Sequence, residues 1–186
     1  MVPVAWELSL DEQFASNSRE WVEGDFGDDT GTSSYRFVGG TYEGAYSTAA
    51  AQQTYWSLIP FTPGSGLFYV ETEVTSYLTG SQCGLALQTD GGFVLAVGLG
   101  DGQVIARLYS GGVEANSGFW EVAAAEPVET ELGLWVDGTS VKIYIDDVEL
   151  ATFDEPTLSE VSQVGVSLMG GFETYCGFDY LVGYLG

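Results

Sequence analysis

No histidine occurs anywhere in the 186 residues, and that one absence removes a large part of enzymology. A Ser-His-Asp triad, a Cys-His dyad, a His-based zinc site and imidazole acid–base chemistry are all excluded. Cysteine is nearly as scarce: Cys83 and Cys176 cannot build a four-cysteine zinc site. Positive charge is almost missing as well. Arg19, Arg36, Arg107 and Lys142 stand against 27 acidic residues, a formal net charge of −23. Such a surface repels phosphate backbones and anionic headgroups, so neither nucleic-acid binding nor peripheral membrane binding is expected. It suits divalent cations, basic partners, neutral polysaccharides, or solubility in a salty medium. No apolar run reaches the ~20 residues of a membrane span, so no membrane insertion is expected. No basic region followed by an apolar stretch opens the chain, so an export signal is expected to lie outside this sequence.

What is present reads as one folded β domain over residues 1–186. Apolar residues make up 45% of the chain and aromatics 14%, with 26 glycines, too hydrophobic for disorder and too glycine-punctuated for long helices. Short alternating segments are predicted as strands: Leu67 to Tyr77, Cys83 to Thr89, Phe93 to Val97, Gln103 to Tyr109, Glu131 to Asp137, Val141 to Ile145, Gln163 to Met169 and Cys176 to Tyr184. In the first, Phe68, Val70, Thr72 and Val74 alternate with Tyr69, Glu71, Glu73 and Thr75, giving one core face and one wet face. Asp90-Gly91-Gly92, Gly100-Asp101-Gly102, Ser110-Gly111-Gly112 and Asp137-Gly138 supply the positive φ of tight hairpins. A terminal strand near Trp6 to Leu10 is expected to pair with the C-terminal strand. Residues 1–34 are otherwise expected to be irregular, with Glu23 to Ser34 a long acidic loop. The fold class expected is an all-β, two-sheet antiparallel jelly-roll sandwich.

Cys83 and Cys176 each fall inside an apparent strand. If those strands are neighbours they can form a disulfide closing a loop worth roughly 4–5 kcal/mol, which places the protein in an oxidising compartment. The alternative is two buried free thiols.

The succession Phe68-Tyr69-Val70-Glu71-Thr72-Glu73-Val74, Cys83-Gly84-Leu85-Ala86-Leu87-Gln88, Phe93-Val94-Leu95-Ala96-Val97, Leu134-Trp135-Val136-Asp137-Gly138-Thr139-Ser140-Val141-Lys142-Ile143-Tyr144-Ile145-Asp146 and the closing Gly177-Phe178-Asp179-Tyr180-Leu181-Val182 resembles the concanavalin A-like lectin/glucanase superfamily. Within it, the chain looks most like LamG-like and 3-keto-disaccharide-hydrolase-like domains. The resemblance covers roughly residues 35–186. It implies two curved antiparallel sheets, a concave face used for glycans, and a structural calcium ion held at Asp179 with an N-terminal acid such as Asp11 or Glu12.

Three functional readings follow. Aromatic platforms beside polar groups suit sugar rings; the candidates are Trp56, Tyr69, Tyr109, Trp120 and Trp135, with Arg107 sharing a strand face with Tyr109 and able to meet Glu71 or Glu73. These support a non-catalytic carbohydrate-binding or cell-surface recognition module, extracellular or on the cell surface, with a glycan or cell-surface polymer as partner. A structural role is the second reading, as a surface or filament subunit that packs against copies of itself or a larger surface protein through exposed edge strands or its N-terminal segment. A glycoside hydrolase is the third: Glu71 and Glu73 project from one strand face about 6.6 Å apart at the backbone, compatible with acid and base or nucleophile roles. Glucanases of this fold place a longer run of alternating acids on one strand, whereas here Thr75 takes the next position. Asp25, Asp28 and Asp29 do not reproduce EF-hand spacing and read as a solvated loop.

Overall fold

The computed structural model describes residues 6–29, 31–49, 53–63, 66–122 and 129–186. They form fifteen strands and a single 3-10 turn, Pro156–Glu160. In chain order the strands are β1 (Glu7–Glu12), β2 (Gly24–Asp28), β3 (Gly31–Val38), β4 (Thr41–Thr48), β5 (Gln53–Pro60), β6 (Leu67–Ser76), β7 (Ser81–Thr89), β8 (Phe93–Gly100), β9 (Gln103–Ser110), β10 (Val113–Glu121), β11 (Thr130–Asp137), β12 (Ser140–Ile145), β13 (Val148–Asp154), β14 (Val161–Gly170) and β15 (Glu173–Leu185). A nine-stranded sheet runs β13-β12-β11-β6-β15-β4-β3-β2, with β1 also paired to β15, and a six-stranded sheet runs β10-β9-β8-β7-β14-β5. Every pairing is antiparallel, and the two sheets stack as the expected jelly-roll sandwich.

Hairpin chemistry sets the registers. Gly100 faces Gln103 across a two-residue loop in which Asp101 has φ +53° and Gly102 φ +69°, the two positive values of a type I′ turn whose twist matches its strands. With register fixed, alternation decides which side chains enter the core. From β7, Cys83, Leu85 and Leu87 face inward, from β8 Leu95, Val97 and Leu99, and from β11 Leu132, Leu134 and Val136. Each such aliphatic side chain contributes about 1.5–3 kcal/mol by leaving water. The Asp137-Gly138 hairpin pairs Leu134 with Ile143 and Val136 with Val141, and brings Trp135 beside Lys142 on the outer face, as the alternation predicts.

Two expectations need correction. Glu23 to Ser34 is no loop: β2 and β3 pair from Gly24↔Tyr35 to Asp28↔Gly31, because Tyr35, Phe37 and Tyr42 carry an aromatic core into this region. Cys83 and Cys176 do form the disulfide, with Cα atoms 5.6 Å apart, yet their strands β7 and β15 belong to opposite sheets. The bridge therefore crosses the core and staples the sandwich face to face.

The six-stranded sheet curls strongly. Strands β9 and β5 lie four positions apart in it, about 19 Å along a flat sheet. Even so, the Tyr109 and Trp56 rings meet at 5.3 Å, and the Tyr109 hydroxyl donates to Thr54 Oγ1 at 2.6 Å. The outer face of this sheet is thus concave. Glycine permits the curl: a Cβ at Gly165 would stand 1.9 Å from the Ser57 carbonyl oxygen, and one at Gly84 2.0 Å from that of Val97.

Candidate functional site

Register places the concave face row by row. Arg107, Ala96, Ala86, Gly165 and Leu58 form one row, and Ile105, Gly98, Gly84, Ser167 and Trp56 the next. Small residues thus floor a trough in the middle of the sheet, and Tyr109 and Trp56 close over it from either side. Two buried polar atoms within it have no hydrogen-bond partner among the described residues: Arg107 Nε and Gln82 Oε1. Arg107 is only 5% exposed and Gln82 9%. A buried guanidinium nitrogen and a buried amide oxygen without partners each cost a substantial desolvation penalty, so this is where the fold gives up stability. The ion pair from Arg107 Nη1 to Glu114 is long at 3.7 Å and lies toward the solvent edge.

Of the residues expected to bind a ligand, Trp56, Arg107 and Tyr109 therefore come together, on a face that is closed rather than exposed. Arg107 meets neither Glu71 nor Glu73, because β9 and β6 lie in different sheets. Trp120 points inward and stacks on Phe153 at 5.7 Å. Tyr69 and Trp135 are cross-strand neighbours on the outer face of the nine-stranded sheet, with Trp135 against Trp6. Gln82 was not anticipated, because that strand was expected to begin at Cys83. The alternation of Gln82, Gly84 and Ala86 against Cys83, Leu85 and Leu87 carried the signal.

Glu71 and Glu73 stand on that same outer face. A β-bulge between Phe178 and Leu181 sets Asp179 and Tyr180 together opposite β6, re-aiming both side chains. Glu71 shares a hydrogen bond with Glu131, and burial, then the Glu131 charge, pushes its pKa up to about 7. Glu73 shares one with Asp179, and burial followed by that contact raises its pKa too. Burial, then neighbouring Glu131 and Glu71, raises Tyr180. Each of the two glutamates thus shares a hydrogen bond with a different acid, while Glu71 and Glu73 themselves keep the spacing of alternate residues on one strand, about 6.6 Å at the backbone.

The residues implied for calcium do not fit it. Glu12 turns inward, 4% exposed, and accepts from Phe14 N and Trp21 Nε1. Asp11 accepts from Gln13, and Asp179 accepts from Thr41 at 2.8 Å. Among the described residues no three acidic side chains stand close enough to hold a metal ion. The acids Asp25 and Asp28 lie on β2, where Asp25 pairs with Arg36 at 2.5 Å.

No family model matches the chain, and no curated protein matches it. Solved structures do. An endo-β-galactosidase from Clostridium perfringens superposes at TM-score 0.69 with 10% identity, over 98% of this chain and 64% of that one. The kappa-carrageenase of Pseudoalteromonas carrageenovora, in complex with an oligotetrasaccharide of kappa-carrageenan, reaches 0.68 with 11% identity over 100% and 98%. A galectin from Caenorhabditis elegans reaches 0.51 with 15% identity over 70% and 94%. At such identities the likeness is one of architecture, and with the two antiparallel sheets and their registers it establishes that the chain has the concanavalin A-like jelly-roll fold of lectins and glucanases.

Proposed function

We propose that this chain is a non-catalytic carbohydrate-binding module of an exported protein, taking a glycan on the concave face of the six-stranded sheet. The observation that carries the reading is the pair of unpartnered groups there, a donor at Arg107 Nε and an acceptor at Gln82 Oε1. A sugar hydroxyl both accepts and donates, so separate hydroxyls of a glycan lying along the trough satisfy the donor and the acceptor. The flanking Trp56 and Tyr109 rings offer apolar surface to the sugar face. A ligand reaches Arg107 by displacing the Tyr109 ring, and replaces the contact it breaks with its own.

Five of the six strands bring no acid to the same face, which supports a binding rather than hydrolytic role. On β5, β7, β8, β9 and β14 the concave positions are occupied by Gln, Gly, Ala, Ser, Thr, Pro, Val, Leu, Ile, Met, Trp, Tyr and Arg107. Only edge strand β10 contributes carboxylates, Glu114 and Glu121, and these stand seven residues apart, about 23 Å along a strand, well beyond the separation glycoside hydrolysis uses. The cross-core disulfide supports an extracellular setting, and the glycan-acting structural neighbours support a glycan partner. A glycan array paired with a reducing-end assay on every hit tests the reading. Retention of a glycan without release of reducing ends is expected; turnover that disappears in Glu71→Gln or Glu73→Gln would overturn it.

A further inference from the structure

The nine-stranded sheet carries an open trough on its own outer side, away from the concave face. Its main cavity of about 550 Å³ is lined by Phe26, Thr32, Ser34, Ala45, Ser47 and Tyr175, among others. It continues into a second cavity of about 280 Å³ that shares Ser34, Ala45 and Tyr175 and adds Arg36 and Glu43. Register explains the hollow. Thr32, Ser47 and Glu173 lie in one row across β3, β4 and β15, and Ser34, Ala45 and Tyr175 in the next, so short side chains form the floor between taller neighbours. Asp25 of β2 shares the row of Ser34 and Ala45, and at the opposite wall Tyr175 packs on Tyr77 at 4.6 Å.

We infer that this trough is a second glycan site, selective for amino-bearing sugars. Hydroxyls on the floor and the paired Tyr175 and Tyr77 rings at one wall match a sugar chain, and two adjoining cavities give room for at least two rings. The charge distribution decides which sugar. Arg36, the one cation in the trough, is held by Asp25 at 2.5 Å. Glu43 accepts from the Tyr175 hydroxyl at 2.5 Å, and Glu173 lies exposed at the mouth. An ammonium group above the Tyr175 ring, between Glu43 and Glu173, gains both charge attraction and a cation–π contact. An acidic sugar meets three carboxylates and a guanidinium already committed.

Calorimetric titration of the full chain at pH 6 with a glucosamine hexamer, its N-acetylated counterpart, a galacturonate hexamer and hexalysine tests this. The glucosamine hexamer is expected to bind the trough about tenfold more tightly than the acetylated one, and the galacturonate not to bind there. Ala45→Trp, which fills the floor from the solvent side, abolishes that binding. Glu43→Gln with Glu173→Gln, which keeps the shape, weakens it about tenfold. Equal binding of the acetylated hexamer, unchanged binding in either variant, tighter binding of hexalysine, or no binding of any hexamer overturns the inference.

Discussion

Glu71 shows how an exposed-looking alternation on a strand acquires chemistry once its neighbours are known. Its carboxyl lies beside Glu131 and Tyr69, and burial with that second charge lifts its pKa to about 7. An unfolded glutamate titrates near 4.3, so the folded state holds the extra proton between those two values. Stability is therefore full below about pH 4 and is lost as pH rises through 7. For this half-buried group the loss is about 1–2 kcal/mol after allowance for solvent screening. Thermal melts are expected to show a higher midpoint at pH 5 than at pH 8, and Glu71→Gln to raise the pH 8 midpoint and flatten the profile. A profile unchanged by Glu71→Gln would place the effect elsewhere. The same strand face was readable in sequence, but Glu131 was not linked to it, since cross-strand register across 60 residues of chain is a property of the fold. Arg107 and Tyr109 were legible as a pair for the opposite reason: they are two residues apart, and alternation alone puts them on one face.

At the level of elements, a hairpin is legible where glycine at the turn and apolar alternation on both sides coincide. The turns at Asp101-Gly102 and Gly111-Gly112 have both residues at positive φ and both interrupt apolar alternation, so β8 and β9 follow, whereas β10, largely exposed and polar, does not. The turn between β12 and β13 uses Asp146 and Asp147, at φ +48° and +66°. Two aspartates give a far weaker signal than Asp-Gly, and β13 went unread. In the first 50 residues the Gly39-Gly40 turn was present, but the acidic, glycine-rich sequence ahead of it masked a strand pair held by tyrosines. The disulfide was anticipated with the wrong geometry, because sequence separation cannot distinguish a neighbour in the sheet from a partner across the core.

Two predictions belong at this scale. Replacing Cys83 and Cys176 together by Ala is expected to cost about 4–5 kcal/mol, read as a fall in the denaturation midpoint, since the closed loop is long. A change below about 1 kcal/mol would mean that the sheets hold without the staple. Gly165→Ala forces a methyl against the Ser57 carbonyl, in backbone that cannot move aside. A loss of about 2–4 kcal/mol is expected from chemical denaturation, and a neutral result would contradict the tight curl assigned to the concave face.

Over the whole molecule, the net charge of −23 imposes self-repulsion that salt screens over a Debye length of about 10 Å at 0.1 M. The melting midpoint is expected to climb between low and molar sodium chloride; a flat response would show that the carboxylates are spaced widely enough to ignore one another. The same field repels acidic polymers from both proposed sites and leaves neutral and amino-bearing glycans as the accessible ligands. Against that background one cation, Arg107, is buried in the concave face with an unpartnered nitrogen. A fold selected for stability alone gains by replacing it.

Arg107→Met separates the two demands most directly: it fills the same space without the charge. Measured against the tightest glycan from the array, the variant is predicted to bind at least about tenfold more weakly while melting no lower than the wild type, because the hydrogen bond lost to the ligand is charge-assisted and the protein itself was not using it. Unchanged affinity in a folded Arg107→Met protein would contradict the assignment of the concave face as the glycan site.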